Sequence, residues 1–427
     1  MTPTGPPVGP HHGATHSPAA VEVVTLGESM VTFLPSRPGP LADVPSFERA
    51  IGGAESNVAC VLAAAGHTTR WVSRVGADGF GDHLTETIAS YGVDTSAVRR
   101  DPSRPTGIYF RTASDRSTEA HEVAYYRTNS AASAMAPATT DMDALRAAHV
   151  LHLSGITAAL STTCLALLKT LTAPSPTRPL ISFDVNYREG LWPDRATAGA
   201  TLLTLARGAD LVFVGEDEAE AAWGVTGGPR AIRAALPEPH VLVVKSGSTG
   251  ATIFEAAHPQ PRTDARGRAG GCPPAADGAS TAATSQAPDS APDRGRTPPG
   301  AHPPHTHPDN ATQRDNATHP DNATQQDSTT YAQALNVDVV APVGAGDAFA
   351  AGFLSATLRG LSPTHRLRHG HLMAAAALTT PGDLAAPPSR AHADRLAALD
   401  DDAWGRLRLG PGWTHPADRA EEEVRTP

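Results

Sequence analysis

Val343-Gly344-Ala345-Gly346-Asp347-Ala348-Phe349 places one carboxylate after a run of small residues and just before the apolar stretch Ala350-Ala351-Gly352-Phe353-Leu354. Small residues let a loop pass close to a ligand, and the apolar run after them predicts a helix. The free N–H groups and positive dipole end of such a helix attract an anion such as a phosphate. Asp347 there has two readings. It can be a first-turn acid that satisfies the helix end, or a base that takes a proton from an attacking hydroxyl. The loop alone leaves both open.

Three further groups could form a site. In Ile51-Gly52-Gly53-Ala54-Glu55-Ser56-Asn57 the paired glycines allow close approach of backbone to a ligand, and Asn57 can hydrogen-bond hydroxyls. A tight turn is the other explanation of the pair. Asp184-Val185-Asn186-Tyr187-Arg188, then Leu191-Trp192, follows an apolar run. Tyr125-Tyr126-Arg127 closes an alternating run and is followed by Ser130-Ala131-Ala132-Ser133. A guanidinium is planar, always charged and matches a carboxylate bidentately. Arg127 and Arg188 therefore suit an acidic substrate, although Tyr packing on an edge strand and a solvated charge would explain the second cluster too.

The elements that must position these groups follow from periodicity. Val21–Leu26 reads as a buried strand, 54–65 as a helix, 70–75 as a strand and 80–91 as a helix closed by Gly92. Residues 108–111 and 122–126 alternate like an antiparallel hairpin. Four short apolar runs, at 150–153, 180–184, 211–214 and 241–244, are each separated by a helix-length segment. That rhythm predicts an α/β fold with a mostly parallel sheet and helices on both faces. Ligands of such sheets bind at the carboxyl ends of the strands, where Gly27-Glu28, Ser154-Gly155, 184–188, 215–218 and 245–250 fall.

Composition narrows the classes. The net charge of −10 over 427 residues argues against a general nucleic-acid binder. Cys60, Cys164 and Cys272 are odd in number and far apart, which fits a reducing compartment rather than a disulfide framework. No apolar run reaches the ~18 residues of a membrane helix, and no signal peptide is expected at the N-terminus. A cytoplasmic protein is the expectation. Residues 1–20 and 256–330 hold few large apolar side chains and read as a disordered tail and a disordered low-complexity insert. Asn-Ala-Thr recurs at Asn310, Asn316 and Asn322, near His302, His305, His307 and His319; both patterns read as filler rather than glycosylation or metal sites. Residues 396–427 read as a C-terminal tail, leaving 21–395 as the domain.

The motifs together resemble the ribokinase-like, or PfkB, carbohydrate kinases. The family's C-terminal signature is Asp-Thr-x-Gly-Ala-Gly-Asp. Here Gly344, Ala345, Gly346 and Asp347 match, whereas Pro342 replaces the Thr and Ala341 the first Asp. The N-terminal Gly-Gly-x-x-x-Asn-x-Ala block matches Gly52 to Ala59, and Gly76-Ala77-Asp78-Gly79-Phe80-Gly81 matches a second block. Lys245-Ser246-Gly247-Ser248-Thr249-Gly250 is similar to the family's nucleotide-site loop. Glu218 stands where members keep a Glu, although Gly215 replaces the Asn that precedes it. The resemblance covers about residues 21–255 and 331–395.

It implies a three-layer ribokinase-like fold with a small β lid from about residues 29–50 and 97–130. It implies ATP and Mg²⁺, with Asp347 as base and Gly344, Ala345 and Gly346 as the anion hole. Lys245, Gly247 and Gly250 would serve the nucleotide with Gly344 and Gly346. Glu218 would serve the metal through water, and 378–383 would wrap the adenine. With Thr106-Gly107-Ile108-Tyr109, the Arg clusters are most similar to the 2-keto-3-deoxygluconate kinase branch. That branch implies a sugar acid phosphorylated at its C6 hydroxyl, contacted by Gly52, Gly53, Asn57, Tyr109, Tyr125, Arg127 and Arg188. Fructokinase, another sugar kinase, and a sugar-acid binder of weak or absent catalysis stay open. So do the sugar's stereochemistry, a monovalent-cation requirement and pairing of lids between subunits.

Overall fold

The computed structural model describes residues 19–37, 39–112, 123–257 and 327–415, and every structural statement below concerns these. The Asn-Ala-Thr triplets, the four clustered histidines and Cys272 lie outside them, as do most of the expected N-terminal tail and insert.

The apolar runs become the strands of one eight-stranded sheet. Its order is Ser328–Gln333, Gly250–Glu255, Val241–Lys245, Leu211–Gly215, Leu180–Asp184, Ala148–Ser154, Val21–Leu26 and Thr69–Val72. From Val241–Lys245 to Thr69–Val72 every pairing is parallel, and the two strands at the other edge run antiparallel. Runs such as Leu-Val-Phe-Val-Gly are apolar throughout because both faces are covered. On one face Leu151, Leu153, Phe183, Val212 and Val214 pack against the helices Thr162–Thr172 and Arg195–Arg207. On the other, Val23, Val150, Phe213 and Val243 meet the helices Ala54–Ala64 and Ala345–Leu358. Phe213 stands edge-on to Phe353 at 5.3 Å, which fixes the second of these helices to the sheet. The register sets Ser154 beside Asp184 and Gly215 beside Lys245, so the polar strand ends share one rim.

A four-stranded sheet of Phe47–Gly52, Met30–Pro35, Ile108–Arg111 and Val123–Tyr126, in that order, forms the lid. Phe33 and Phe110 stack at 4.6 Å across its central parallel pair.

Four expectations on element bounds change. The stretch 70–75 is two strands, Thr69–Val72 and Arg74–Gly76, because Ser73 leaves the ladder and donates its hydroxyl to the Gly27 carbonyl at 2.7 Å. Arg99–Asp101 pairs with the second of them rather than with the lid, so the lid's later part begins at Ile108. The presumed C-terminal tail is packed as far as His415. Asp400 caps a helix Asp401–Arg406, whose Trp404 is buried under the Arg368 guanidinium at 4.8 Å and donates Nε1–H to the Gln333 carbonyl. Asp401 and Asp402 fall in the first turn of that helix, where its dipole favours acids. The insert likewise ends earlier than 330, since Ser328–Gln333 is an edge strand and Asp327 pairs with Arg233 at 2.6 Å.

Candidate active site

The helices Ala54–Ala64 and Ala345–Leu358 start side by side at the rim. Asn57 and Asp347 lie in their first turns, and Asn57 Nδ2 donates to Asp347 Oδ2 at 2.9 Å. The cap residue of the second helix is Gly344, at φ +78°. A Cβ there would be strained and would also collide with the Asp383 carbonyl oxygen, so both conformation and space require glycine. Ala345 and Gly346 follow inside the helix, leaving the first amides of that turn without helical partners.

Burial raises the Asp347 carboxyl. The Asn57 hydrogen bond opposes this, Asp184 adds to it, and the Arg188 and Lys245 cations oppose it; the balance sits at about 7. An acid so placed is ionised in about half the molecules at neutral pH, which suits a general base. Lys245, expected at the nucleotide, sends its Nζ to both oxygens of Asp184 at 3.2 Å. A Cβ on Gly346 would stand 3.8 Å from that Nζ, so the ammonium also faces the anion loop. Burial works to lower the Lys245 pKa, but Asp184 and Glu218 outweigh it and the group is held firmly charged. Gly247, at φ +55°, turns the Ser246–Thr249 loop, and Gly250 opens the next strand.

Glu218 reaches back to the Gly215 amide at 2.7 Å. Burial raises its carboxyl, Lys245 lowers it and Asp184 raises it, with a net upward shift. No cluster of three or more metal-ligating side chains occurs among the described residues.

On the lid side, Gly52 faces Tyr109 and Asp383; a Cβ on it would collide with the Tyr109 hydroxyl. A Cβ on Gly53 would collide with the Glu28 carbonyl. The strand entering the helix therefore lies flush against both neighbours. Tyr109 is buried and donates its hydroxyl to Asp383 Oδ2 at 2.5 Å. Tyr125 is 55% exposed, its ring 5.4 Å from that of Tyr109, with the Arg127 guanidinium 5.8 Å above it. Arg127 is not a free cation: it pairs with buried Glu28, which also accepts from Ser130. Arg188, in contrast, is exposed, bonds only the Tyr187 carbonyl at 3.4 Å, and makes no ion pair among the described residues. It follows Asn186, whose φ of +39° turns the chain at the strand end.

The structure thus brings Asn57, Asp347, Gly344, Gly346, Lys245 and Arg188 around two adjacent helix starts, with Gly52 against Tyr109 on the lid side; no hydrogen bond or ion pair joins Gly247, Gly250, Tyr125 or Arg127 to those helix starts among the described residues. It adds three. Glu28 follows a strand and Asp184 ends one, and their place at carboxyl ends marked them only as polar rim residues. Asp383 closes the stretch expected to wrap adenine, yet its carboxyl turns to the lid, where it meets Tyr109 and Arg111. Its place in that stretch, after the helix Pro363–Leu378, is the signal that pointed to it. Beneath the site lies Glu55, fully buried, with Oε1 accepting from Thr157 at 2.6 Å and Oε2 unpartnered. Burial pushes its carboxyl up to about 8, against the Thr157 hydrogen bond.

A family model described as pfkB family carbohydrate kinase matches residues 21–273 and 323–390. A 2-dehydro-3-deoxygluconokinase of Thermoproteus tenax is 33% identical over 244 residues, 57% of this chain and 74% of that protein. A protein of the same name from Bacillus subtilis is 39% identical over 206 residues, 47% of this chain and 62% of its own length. The crystal structure of a PfkB protein from Polaromonas sp. JS666 superposes with a TM-score of 0.64 at 28% identity, covering 88% of this chain and 99% of that one.

Proposed function

Because the chain belongs to the pfkB family of carbohydrate kinases, we propose that it transfers the γ-phosphoryl group of ATP to the C6 hydroxyl of 2-keto-3-deoxygluconate. The products are ADP and 2-keto-3-deoxy-6-phosphogluconate. The observation that carries the reading is Asp347, held by Asn57 in the first turn of the helix that Gly344 caps. Ionised Asp347 takes the proton of the C6 hydroxyl. The oxygen attacks the γ-phosphorus in line as the bond to the departing ADP breaks. The amides at Gly344 to Gly346 and the Lys245 ammonium face the charge that shifts onto the phosphoryl oxygens. Mg²⁺ would be held by the phosphates, with Glu218 acting through water, and would supply further positive charge there.

The sugar-acid assignment rests on Arg188, a guanidinium without a carboxylate of its own, at the rim that Asp347 occupies. Arg127 enters through Glu28: a substrate carboxylate would share the guanidinium rather than find it free. Tyr109 and Tyr125, whose rings lie 5.4 Å apart, would wall the pocket from the lid. A cytoplasmic setting and pairing of lids between subunits belong to the same reading, supported by the buried free thiols of Cys60 and Cys164 and by exposed Tyr125 and Tyr126.

The test is ADP release measured across sugar acids, hexoses, pentoses and nucleosides. The expected result is the highest kcat/KM with 2-keto-3-deoxygluconate. A preference for fructose or ribose would overturn the sugar-acid assignment, and no ADP release with any of them would overturn the kinase reading.

A further inference from the structure

Tyr109 and Arg111 are two residues apart on one lid strand, so both side chains leave the same face. Both grip one carboxylate. Tyr109 donates to Asp383 Oδ2 at 2.5 Å, and Arg111 Nη2 lies 3.0 Å from Oδ1. The same nitrogen donates to the Pro381 carbonyl at 3.0 Å. Both side chains of the ion pair are 5% exposed, so Arg111 is spent inside the protein and not offered to a ligand. Asp383 has a second attachment. Its backbone carbonyl lies flush on Gly344, leaving no room for a Cβ. Upstream in the same connection, the Leu378 carbonyl accepts from Val340 and Ala341, which lead into the anion loop. A continuous chain of contacts thus runs from the lid through Arg111 and Asp383 to the cap of the helix that carries Asp347.

We propose that Arg111 is a positioning residue that couples occupancy of the sugar pocket to the phosphate-binding loop. A sugar that settles against Tyr109 fixes the lid strand. The strand fixes Asp383 through two grips, and Asp383 fixes Gly344, whose amide and successors receive the phosphate. By linkage the effect is reciprocal: nucleotide bound at the loop tightens the sugar by the same factor that sugar tightens the nucleotide. The other grip is the hydrogen bond from the Tyr109 hydroxyl, and Tyr109 is itself assigned to the sugar. Arg111 is the one of the two that acts at a distance from substrate.

This inference rests on the sugar-acid reading above, and calorimetry separates the two. Binding of a non-hydrolysable ATP analogue is titrated with and without saturating 2-keto-3-deoxygluconate, on wild type, Arg111→Lys and Arg111→Met. In the wild type the sugar should tighten the nucleotide by about fivefold or more, the lower end of ordinary coupling. In both variants that factor should fall toward one, and KM for each substrate should become independent of the other. A merely structural role would weaken stability without removing the interdependence. If neither Arg111 variant folds, Tyr109→Phe cuts the other grip, and its coupling factor must also fall. Failure of 2-keto-3-deoxygluconate to bind the wild type counts against the substrate assignment. Binding without coupling, or coupling unchanged in Arg111→Lys or Tyr109→Phe, overturns the role given to Arg111.

Discussion

Asn57 Nδ2 donates to Asp347 Oδ2 at 2.9 Å, a hydrogen bond between residues 290 positions apart that joins the first turns of two neighbouring helices. It orients the carboxyl and partly offsets the rise that burial imposes on it. The carboxyl is thereby kept in the range where it can both lose and accept a proton near neutrality.

Asp347→Asn should keep the fold and nucleotide binding but reduce kcat by roughly 10²-fold or more, the usual scale for a lost general base. In the wild type, kcat/KM should fall on acidification through about pH 7, where Asp347 gains its proton. Steady-state kinetics on the folded variant and a pH profile of the wild type check both. Near-normal turnover in the variant would remove Asp347 from the mechanism.

Arg188→Ala should weaken 2-keto-3-deoxygluconate binding by about 2 to 5 kcal/mol if the closed lid desolvates the pair it forms with the substrate carboxylate. Neutral sugars should be affected far less, because they offer nothing for the guanidinium to pair with. Titration calorimetry with the acid and with fructose distinguishes a specific loss from general damage. Equal effects on both would detach Arg188 from the acid end.

Glu55→Gln should stabilise the protein at alkaline pH. The folded Glu55 carboxyl is raised to about 8 from its ordinary 4.5, so between those values the native state binds more protons than the unfolded state. Stability contributed by the neutral acid is full below pH 4.5 and is lost as pH rises to about 8. Gln mimics the neutral acid without titrating. Its advantage should be near zero at pH 4.5, grow to the order of a few kcal/mol by pH 8, and then level off. Denaturant unfolding across that range measures it, and a difference independent of pH would contradict the proposed protonation.

Replacing residues 260–328 by a short Gly-Ser linker should leave kcat and both KM values within about twofold, a change of only ~0.4 kcal/mol. The strands on either side pair antiparallel, with Glu255 directly opposite Ser328, so the chain leaves and re-enters the sheet at one point that a short turn can bridge. Because the replacement removes Asp327 and with it the Arg233 ion pair, a parallel deletion that stops at 326 separates that loss from the insert's own contribution. A large rise in KM for ATP in both deletions would mean that the segment serves the nucleotide.

Much was legible along the chain because it is local. Apolar runs of strand length separated by helix-length segments predict a parallel sheet, and covering both faces needs no long-range information. Gly344 and Asp347 were legible because a small-residue loop before an apolar helix has few uses, and the family resemblance then chose among them. The C-terminal segment differs from the tail expected of it because only the burial of Trp404 against Arg368 and Gln333 makes it part of the fold. Partners were not legible at all. Nothing in Asp383 tells that its carboxyl meets Tyr109, 274 residues earlier, nor in Arg127 that Glu28 already holds it. The sequence by itself determined most of the parallel strands and marked the residues proposed to carry chemistry. Tertiary structure alone decided which charges are neutralised, which, like that of Arg188, make no ion pair among the described residues, and how far burial shifts Asp347. Those depend on distance and on access of water, and both are set by groups far apart in the chain.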